Sequence, residues 1–340
     1  MMKSIVCQQP GELNFLETEK PQPKAGEVLL KIRAIGVCGT DIHAYGGNQP
    51  FFTYPRVLGH ELSGQIEALG EGVDLPLGKS AYVIPYLECG ECVACRAGKT
   101  NCCTNIEVIG VHRDGGMCEY LCLPASHVVI TEGVPFDQLA VVECLAIGAH
   151  SVRRGEVSEK DTVMVLGAGP IGLGAAQFAK VAGAKTFVAD VNSDRLAFAD
   201  RELNIDATVD CKADVKAQLE SLTDGDYPTV IIDCTGNPGA MQATFGWLAH
   251  GGTLVFVSVV KADISFNDPE FHKRETTLKG SRNATKEDFE HVVACLANGS
   301  AKSTAMVTHK TSFDDFPAIF PEWVKPETGV VKAVIEVNRD

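Results

Sequence analysis

The sequence predicts an α/β protein in which a β-rich domain precedes a doubly wound parallel sheet. Short alternating apolar and polar runs, interrupted by glycine and proline, fill the first 145 residues and are typical of strands. From about residue 160, apolar strands alternate with amphipathic segments of helical length, which is typical of a parallel sheet covered by helices. A glycine-rich turn after the first of these strands supports the same interpretation.

The predicted elements follow the chain in order. In the first region, 27–33 is predicted as a strand, and helices are expected to be scarce. In the second region, the predicted strands are 163–166, 187–189, 230–233 and 254–257. Beyond about residue 284, the sequence predicts a helix over 286–297 and a last strand over 332–337.

The change of pattern predicts two domains, as expected for 340 residues at about 150 residues per domain. The predicted first domain is 1–146, with a metal-binding lobe at about 86–105. The second domain is 147–283, and we expect the tail, 284–340, to return to the first domain.

Composition limits the classes of partner. The chain has 30 basic and 44 acidic residues, a net charge of −14, which disfavours binding to nucleic acid or to an anionic membrane. We therefore expect a small-molecule partner. The sequence shows no secretory signal and no apolar run of 18 residues, which predicts a cytoplasmic protein. In such a protein, the 13 cysteines are expected to be metal ligands or free thiols.

A dinucleotide fingerprint lies between the predicted strand 163–166 and the next helix. It consists of Gly167, Gly169 and Gly172, with Pro170 and Ile171 where the helix begins. Glycines at this spacing allow a tight turn and a close approach of the backbone to a pyrophosphate.

Asp190 strengthens this prediction because it ends the next strand about 20 residues further on. A carboxylate there accepts hydrogen bonds from the ribose hydroxyls of NAD and repels the 2′-phosphate of NADP. We therefore predict NAD as cofactor, with Asp190 and the nearby Arg195 among the binding residues. A glycine-rich turn that binds nothing is the alternative.

Four cysteines in a short segment predict a structural metal site. Their spacing, C-x2-C-x2-C-x7-C, suits tetrahedral zinc with all positions filled by protein. An iron–sulfur cluster is the alternative, although ferredoxin runs end in C-x3-C-P. Cys102 could replace its neighbour as a ligand, and unliganded buried thiols are also possible. The four cysteines are Cys89, Cys92, Cys95 and Cys103.

A second candidate metal site lies upstream, where Cys38 and His60 are followed by Glu61. A thiolate, an imidazole and a carboxylate would leave one exchangeable position on zinc, as catalysis requires. Each residue alone has a structural explanation, but the segments 38–43 and 59–61 together indicate a catalytic site.

These motifs resemble the zinc-containing medium-chain dehydrogenases, the superfamily of alcohol, polyol and threonine dehydrogenases. Besides the four cysteines, the resemblance rests on segments spread over the whole chain, namely 36–41, 59–61, 114–116, 167–172 and 280–282. It implies a GroES-like catalytic domain, a Rossmann domain, two zinc ions per chain and NAD. Dimers and tetramers are common in the family, so a homodimer or homotetramer is expected.

The resemblance leaves the third ligand of the catalytic zinc open. Polyol dehydrogenases use the glutamate after the histidine, which corresponds to Glu61. Other members use a glutamate at the position of Glu143, often followed by proline, where this chain has Cys144. Glu61, Glu143 and Cys144 are therefore all candidates, and we expect both glutamates near the metal.

The family also implies a route for the substrate proton. Thr40 would take the proton from the alcohol through its hydroxyl, and His43 would pass it to solvent, because histidine titrates near neutral pH. A structural role is the alternative for His43. A protein that binds NAD and zinc without turnover is the alternative class, but such a protein needs neither an open zinc nor a proton path.

Three longer stretches, 54–60, 101–103 and 271–277, look most like bacterial sugar-acid dehydrogenases. This narrower resemblance implies oxidation of L-galactonate to D-tagaturonate. Polyols such as sorbitol or galactitol and its phosphate, and L-threonine, remain alternatives. Related polyol dehydrogenases place an arginine beside the substrate at the position of Arg282, which could bind the carboxylate of a sugar acid.

Overall fold

The computed structural model describes residues 1–49 and 52–337, which form two compact units. The first unit contains Met1–Glu143, Thr285–Ala297 and the chain from Lys302 onward. The second contains Cys144–Ala284 and Asn298–Ala301.

Strands predominate in the first half of the chain, and strands alternate with helices in the second half. The strands are β1 (Met2–Gln9), β2 (Glu12–Thr18), β3 (Glu27–Val37), β4 (Arg56–Val57), β5 (Glu61–Leu69), β6 (Ser80–Val83), β7 (Tyr86–Leu87), β8 (Glu107–Val108), β9 (Tyr120–Pro124), β10 (Val128–Ile130), β11 (Thr162–Leu166), β12 (Lys185–Asp190), β13 (Ala207–Asp210), β14 (Val230–Asp233), β15 (Thr253–Phe256), β16 (Thr277–Gly280), β17 (Val307–Ser312) and β18 (Lys332–Glu336). The α-helices are α1 (Gly39–Tyr45), α2 (Val93–Arg96), α3 (Phe136–Leu139), α4 (Val142–Arg154), α5 (Pro170–Val181), α6 (Ser193–Glu202), α7 (Val215–Leu222), α8 (Pro238–Ala243), α9 (Asp268–Lys273), α10 (Lys286–Asn298) and α11 (Phe316–Trp323). Short 3₁₀ helices cover Thr100–Cys102, Ala125–His127, Thr244–Gly246 and Pro326–Thr328.

The first unit is built on β-sheet. Its largest sheet has the order β10-β6-β5-β3-β18-β17, with β9 also paired to β3. Strand β3 is the centre of this sheet and is buried along most of its length, which explains its run of apolar residues. The helices before residue 140 are short, so the predicted β-rich character is confirmed.

Two strand pairings place the residues of the candidate site. Strand β5 pairs antiparallel with β3 so that Glu61 lies opposite Gly36. On the other side of β3, the C-terminal strand β18 pairs antiparallel through Ala333 and Val37. The start of β5, the end of β3 and the start of β18 therefore lie side by side at the same end of the strands.

The second unit contains a parallel sheet of order β13-β12-β11-β14-β15-β16. This order is 3-2-1-4-5-6 along the chain, the doubly wound arrangement that binds dinucleotides at the carboxyl ends of the first strands. The predicted parallel sheet is confirmed. The sequence prediction missed two of its strands, β13 and β16, which are the edge strands.

Within residues 1–49 and 52–337, no helix combines the length and the apolar character needed to cross a lipid bilayer.

Candidate metal centres and cofactor-binding site

Asp41 links the two segments that carry the predicted ligands of the catalytic metal. It lies in the first turn of α1 and is fully buried. Its Oδ2 accepts a hydrogen bond from the backbone N–H of Cys38 at 2.9 Å, and its Oδ1 accepts one from Gly59 at 3.2 Å. One carboxylate thus fixes the backbone at Cys38 and the backbone just before His60.

The structure brings three predicted ligands together. One ligand atom from each of Cys38, His60 and Glu61 lies within 4.8 Å of the others. His60 and Glu61 are buried, with exposed fractions of 4% and 0%. Among the described residues, His60 Nδ1 and Glu61 Oε2 have no hydrogen-bond partner. Because buried polar atoms are nearly always paired, these atoms fit a site completed by a metal ion.

Lys332 holds the other oxygen of Glu61. Its ammonium group donates hydrogen bonds to Glu61 Oε1 and to the backbone oxygen of Val37, the latter at 3.0 Å. Both charged side chains are almost fully buried, at 1% and 0% exposure. Gly36 makes room for the carboxylate, since a Cβ there would lie 2.0 Å from Glu61 Oε2. Glu61 Oε1 is therefore held by the buried ion pair with Lys332, while Glu61 Oε2 lies against the backbone of Gly36, which has no side chain.

Glu143 also lies near the site but is anchored differently. It is 4% exposed, and its Oε1 accepts a hydrogen bond from the hydroxyl of Tyr86. Its Oε2 has no partner within the described part of the chain. Glu143 and the buried Cys144 lie outside the close group formed by the other three ligands in the described residues.

Burial and charge set the protonation of the site. Burial raises the pKa of the carboxyls of Asp41 and Glu143. Burial alone lowers the pKa of His60, but the charges of Cys38 and Asp41 outweigh it, so the pKa of His60 lies well above its ordinary value. The raised pKa of His60 therefore shows that its surroundings favour a positive charge at this place.

Thr40 and His43 lie three residues apart in α1, directly after Cys38. Residues at this spacing are neighbours on one side of a helix. Thr40 is half-buried, whereas His43 is exposed. This placement puts Thr40 close in sequence to Cys38 and puts His43 at the surface.

The four cysteines form the second close group. Their sulfur atoms lie within 4.8 Å of one another. Sγ separations are 3.5 Å for Cys92–Cys95, 3.5 Å for Cys89–Cys103 and 4.0 Å for Cys89–Cys95. Zn–S bonds of about 2.3 Å place the sulfurs of a tetrahedral site about 3.8 Å apart. These three separations are therefore close to those expected around zinc.

Backbone amides favour the thiolate form of Cys92, whereas burial raises the pKa of Cys95 to about 12. The N–H groups of Cys95 and Thr104 lower the pKa of the Cys92 thiol to about 5. Cys103 Sγ accepts hydrogen bonds from the backbone N–H groups of Cys89 and Asn105, both at 3.3 Å. The thiolate is the form that binds metal. Cys102, the alternative ligand, is exposed and lies outside this group among the described residues.

In the second unit, the glycine fingerprint occupies the turn from β11 to α5. Gly169 is the N-cap of α5, and Pro170 and Ile171 begin the helix. At Gly172, a Cβ would lie 1.8 Å from the backbone oxygen of Gly167, so only glycine allows this close contact of helix and turn. The N-terminus of α5 is suited to a pyrophosphate.

Asp190 ends β12 and is fastened to this turn. Its Oδ2 accepts a hydrogen bond from the N–H of Ala168 at 2.6 Å, and its Oδ1 accepts one from Asn192 at 2.8 Å. A carboxylate has about four acceptor positions, so two remain for ribose hydroxyls. Arg195 lies in the first turn of α6, where burial lowers its pKa and the charge of Asp190 raises it.

Arg282, the predicted substrate residue, lies just after β16 and is exposed. It belongs to the second unit, as does the buried Ser281 before it.

Comparison with known proteins identifies the family. A family described as "Alcohol dehydrogenase GroES-like domain" matches residues 24–133, and one described as "Zinc-binding dehydrogenase" matches residues 170–298. An L-galactonate-5-dehydrogenase of Escherichia coli (strain K12) is 45% identical over 98% of both chains. The chain belongs to the zinc-binding alcohol dehydrogenase family.

Two solved structures agree with the fold. A dehydrogenase of E. coli CFT073 solved with NADH has a TM-score of 0.93 and 32% identity, covering 98% of this chain and 99% of its own. A zinc-binding dehydrogenase of Sinorhizobium meliloti 1021 solved with NADP has a TM-score of 0.90 and 29% identity, covering 99% of both chains. These matches confirm three predictions at the level of the family: an oxidoreductase, a GroES-like domain with a Rossmann domain, and zinc with a nicotinamide cofactor.

The sequence analysis missed three residues that the structure places at the candidate site. Asp41 follows Cys38 by three residues, and an acidic side chain at this position of a helix is a known capping signal. Tyr86 and Lys332 have no such local signal, because each acts on a carboxylate far away in the sequence.

Proposed function

We propose that this dehydrogenase oxidises a secondary alcohol of a sugar acid with NAD, and that L-galactonate, giving D-tagaturonate, is its substrate. The observation that carries the proposal is the 45% identity, over 98% of both chains, to an L-galactonate-5-dehydrogenase. Polyols and L-threonine are the competing substrates, and each predicts a different outcome in the experiment below.

The catalytic zinc would be held by Cys38, His60 and Glu61, with Glu143 beside it as an oxygen ligand that exchanges with water or substrate, so that one position stays open. The unpartnered buried atoms of His60, Glu61 and Glu143 support this set. The spacing of the sulfurs supports a structural zinc at Cys89, Cys92, Cys95 and Cys103.

When bound, the catalytic zinc would supply a Lewis acid that lowers the pKa of the substrate alcohol. A nicotinamide cofactor held at the glycine turn and Asp190 would supply the acceptor for the hydride of the alcohol carbon, and the alcohol oxygen would have to lose its proton. The Thr40 hydroxyl would accept this proton and pass its own proton on toward His43, which is exposed on the same helix and would release a proton to solvent.

NAD is proposed over NADP because of Asp190. Its carboxylate lies beside the turn that would hold the pyrophosphate and keeps free acceptor positions for the ribose. The 2′-phosphate of NADP would bring a second negative charge to this place. The guanidinium of Arg195 interacts electrostatically with Asp190 and would offset part of the negative charge of the Asp190 carboxylate.

Arg282 would bind the carboxylate of the sugar acid. A guanidinium can donate two parallel hydrogen bonds to a carboxylate, whereas a lysine ammonium cannot reproduce this geometry. A neutral polyol offers no such partner, so Arg282 would distinguish the two substrate classes.

The test is a panel of aldonates, polyols and L-threonine assayed with wild-type protein, Arg282→Lys and a control, Arg201→Lys, at another exposed arginine of the second unit. Hydrogen bonds to charged groups contribute about 1.5–3 kcal/mol, so Arg282→Lys should raise KM for the sugar acid roughly tenfold or more. KM for a polyol should change less, and the control should match wild type. Equal losses for acids and polyols, or no activity on any aldonate, would overturn the sugar-acid proposal.

A further inference from the structure

Tyr86 lies between the two candidate metal sites. It begins β7 and stands three residues before Cys89, the first of the four cysteines. Strand β7 pairs with β8 through Tyr86 and Val108. The four-cysteine segment joins the ends of this two-stranded ribbon, so the ribbon and the segment hold the backbone of Tyr86.

The ring of Tyr86 is packed and its hydroxyl is directed. The side chain is 5% exposed and meets the ring of Phe289 edge-on, with centroids 6.1 Å apart and planes at 70°. The hydroxyl donates to Glu143 Oε1, while Glu143 Oε2 has no partner in the described residues. A single bond thus fixes the carboxylate and leaves its second oxygen available.

We propose that Tyr86 is a positioning residue, which holds Glu143 so that its free oxygen serves the metal bound by Cys38 and His60. This inference rests on the proposed metal site and adds a residue that the site needs. Tyr86 does not touch the reacting atoms and acts only through Glu143.

The hydroxyl is required because Glu143 is buried. A buried charged group that loses its hydrogen bond is left with an uncompensated desolvation cost, so the carboxylate would turn toward another partner. This rotation would move its second oxygen away from the metal. Partners that orient metal ligands typically contribute a factor of about 10–100 to metal affinity.

The experiment compares Tyr86→Phe with Tyr82→Phe. Tyr82 is also buried and stacks on the same Phe289, with centroids 6.0 Å apart, so it is a matched control for ring packing. Release of zinc is followed during titration with a chelator. The zinc of the four cysteines, in the same molecule, is the internal reference.

In Tyr86→Phe, one zinc should leave at a chelator concentration about 10–100 times lower than in wild type, while the second zinc is unchanged. Tyr82→Phe should behave as wild type. In the Glu143→Gln background, Tyr86→Phe should cause no further loss. Unchanged zinc release in Tyr86→Phe, equal loosening of both zinc ions, or the same loss in the Glu143→Gln background would overturn the inference. Wild-type protein without a zinc that depends on Cys38 would instead overturn the proposed function.

Discussion

The two cysteine-containing clusters of the first unit solve the same problem in opposite ways. The four-cysteine group draws its ligands from 15 consecutive positions, 89–103, and three of its sulfurs are only half-buried. The group of Cys38, His60 and Glu61 draws on separate segments and is buried around its histidine and carboxylate. The first group is a local motif of four possible ligands, whereas the second brings three possible ligands together only through the fold.

Their electrostatics differ for the same reason. In the four-cysteine group, backbone amides lower the pKa of Cys92, so the segment itself stabilises its thiolate. In the buried group, burial raises the carboxyl pKa of Asp41 and Glu143, and charge from elsewhere must compensate. Lys332 supplies part of that charge at Glu61. The first site is therefore prepared for a metal by its backbone, and the second by the surrounding protein.

The largest expected effect is on the local site. Cys95→Ser should lose one zinc and lower the melting temperature strongly, because the binding free energy of a structural zinc, about 10–16 kcal/mol in zinc-finger peptides, is folding free energy. Cys102→Ser, at the exposed neighbouring thiol, is the control and should change neither property. Metal analysis and thermal unfolding measure both. One zinc in the wild type, or iron with visible absorbance, would contradict the assignment.

The buried site should respond in the opposite way. Cys38→Ser should lower turnover by a factor of about 10³ or more, because a Lewis acid lowers the activation barrier by several kcal/mol. The protein should remain folded and keep one zinc. Cys122→Ser, at another half-buried cysteine, should keep full activity. A Cys38→Ser protein that unfolds as readily as Cys95→Ser would erase the distinction between the two sites.

Thr40 tests whether the open position is used for proton transfer. Thr40→Ala should lower turnover by a factor of about 10²–10⁴ while NAD binding stays unchanged, because only the first proton carrier is removed. Thr40→Ser keeps a hydroxyl and should restore most of the rate. The measurement is kcat under conditions where chemistry limits turnover. Unchanged turnover in Thr40→Ala would remove Thr40 from the proton path.

The smallest expected effect is that of Lys332→Met on the free energy of unfolding of the zinc-loaded protein. Lys332→Met leaves the buried carboxylate of Glu61 without its cation, a change that typically costs about 3–5 kcal/mol. A zinc ion at Glu61 would replace part of this charge, so urea unfolding should show a smaller loss for zinc-loaded than for zinc-free protein. Equal losses in both states would mean that Glu61 does not face the metal.

Local patterns explain what the sequence could predict. The four cysteines and the glycine turn are contiguous motifs, and strands β11, β12, β14 and β15 are apolar runs because they lie inside a parallel sheet. The edge strands β13 and β16 escaped prediction because most of their residues are not buried, unlike those of β14, which is equally short. Their residues therefore carry no apolar signal.

Long-range contacts explain what the sequence could not predict. Lys332 lies 271 residues from Glu61, and Tyr86 lies 57 residues from Glu143. Only the pairing of β18 with β3 brings the lysine to the site. Cys38, His60 and Glu61 could be predicted because they lie within recognisable motifs, whereas the residues that orient them share no motif with their partners.

Gly36 constrains which residues can evolve at positions 36 and 61. Because a Cβ at residue 36 would meet the carboxylate of Glu61 and lie 2.9 Å from the backbone oxygen of Ala140, a side chain cannot arise there while the glutamate stays in place. We therefore expect relatives that carry alanine or serine at position 36 to have a shorter residue, or a different zinc ligand, at position 61. In evolutionary terms, a substitution of Glu61 must therefore come before any substitution of Gly36.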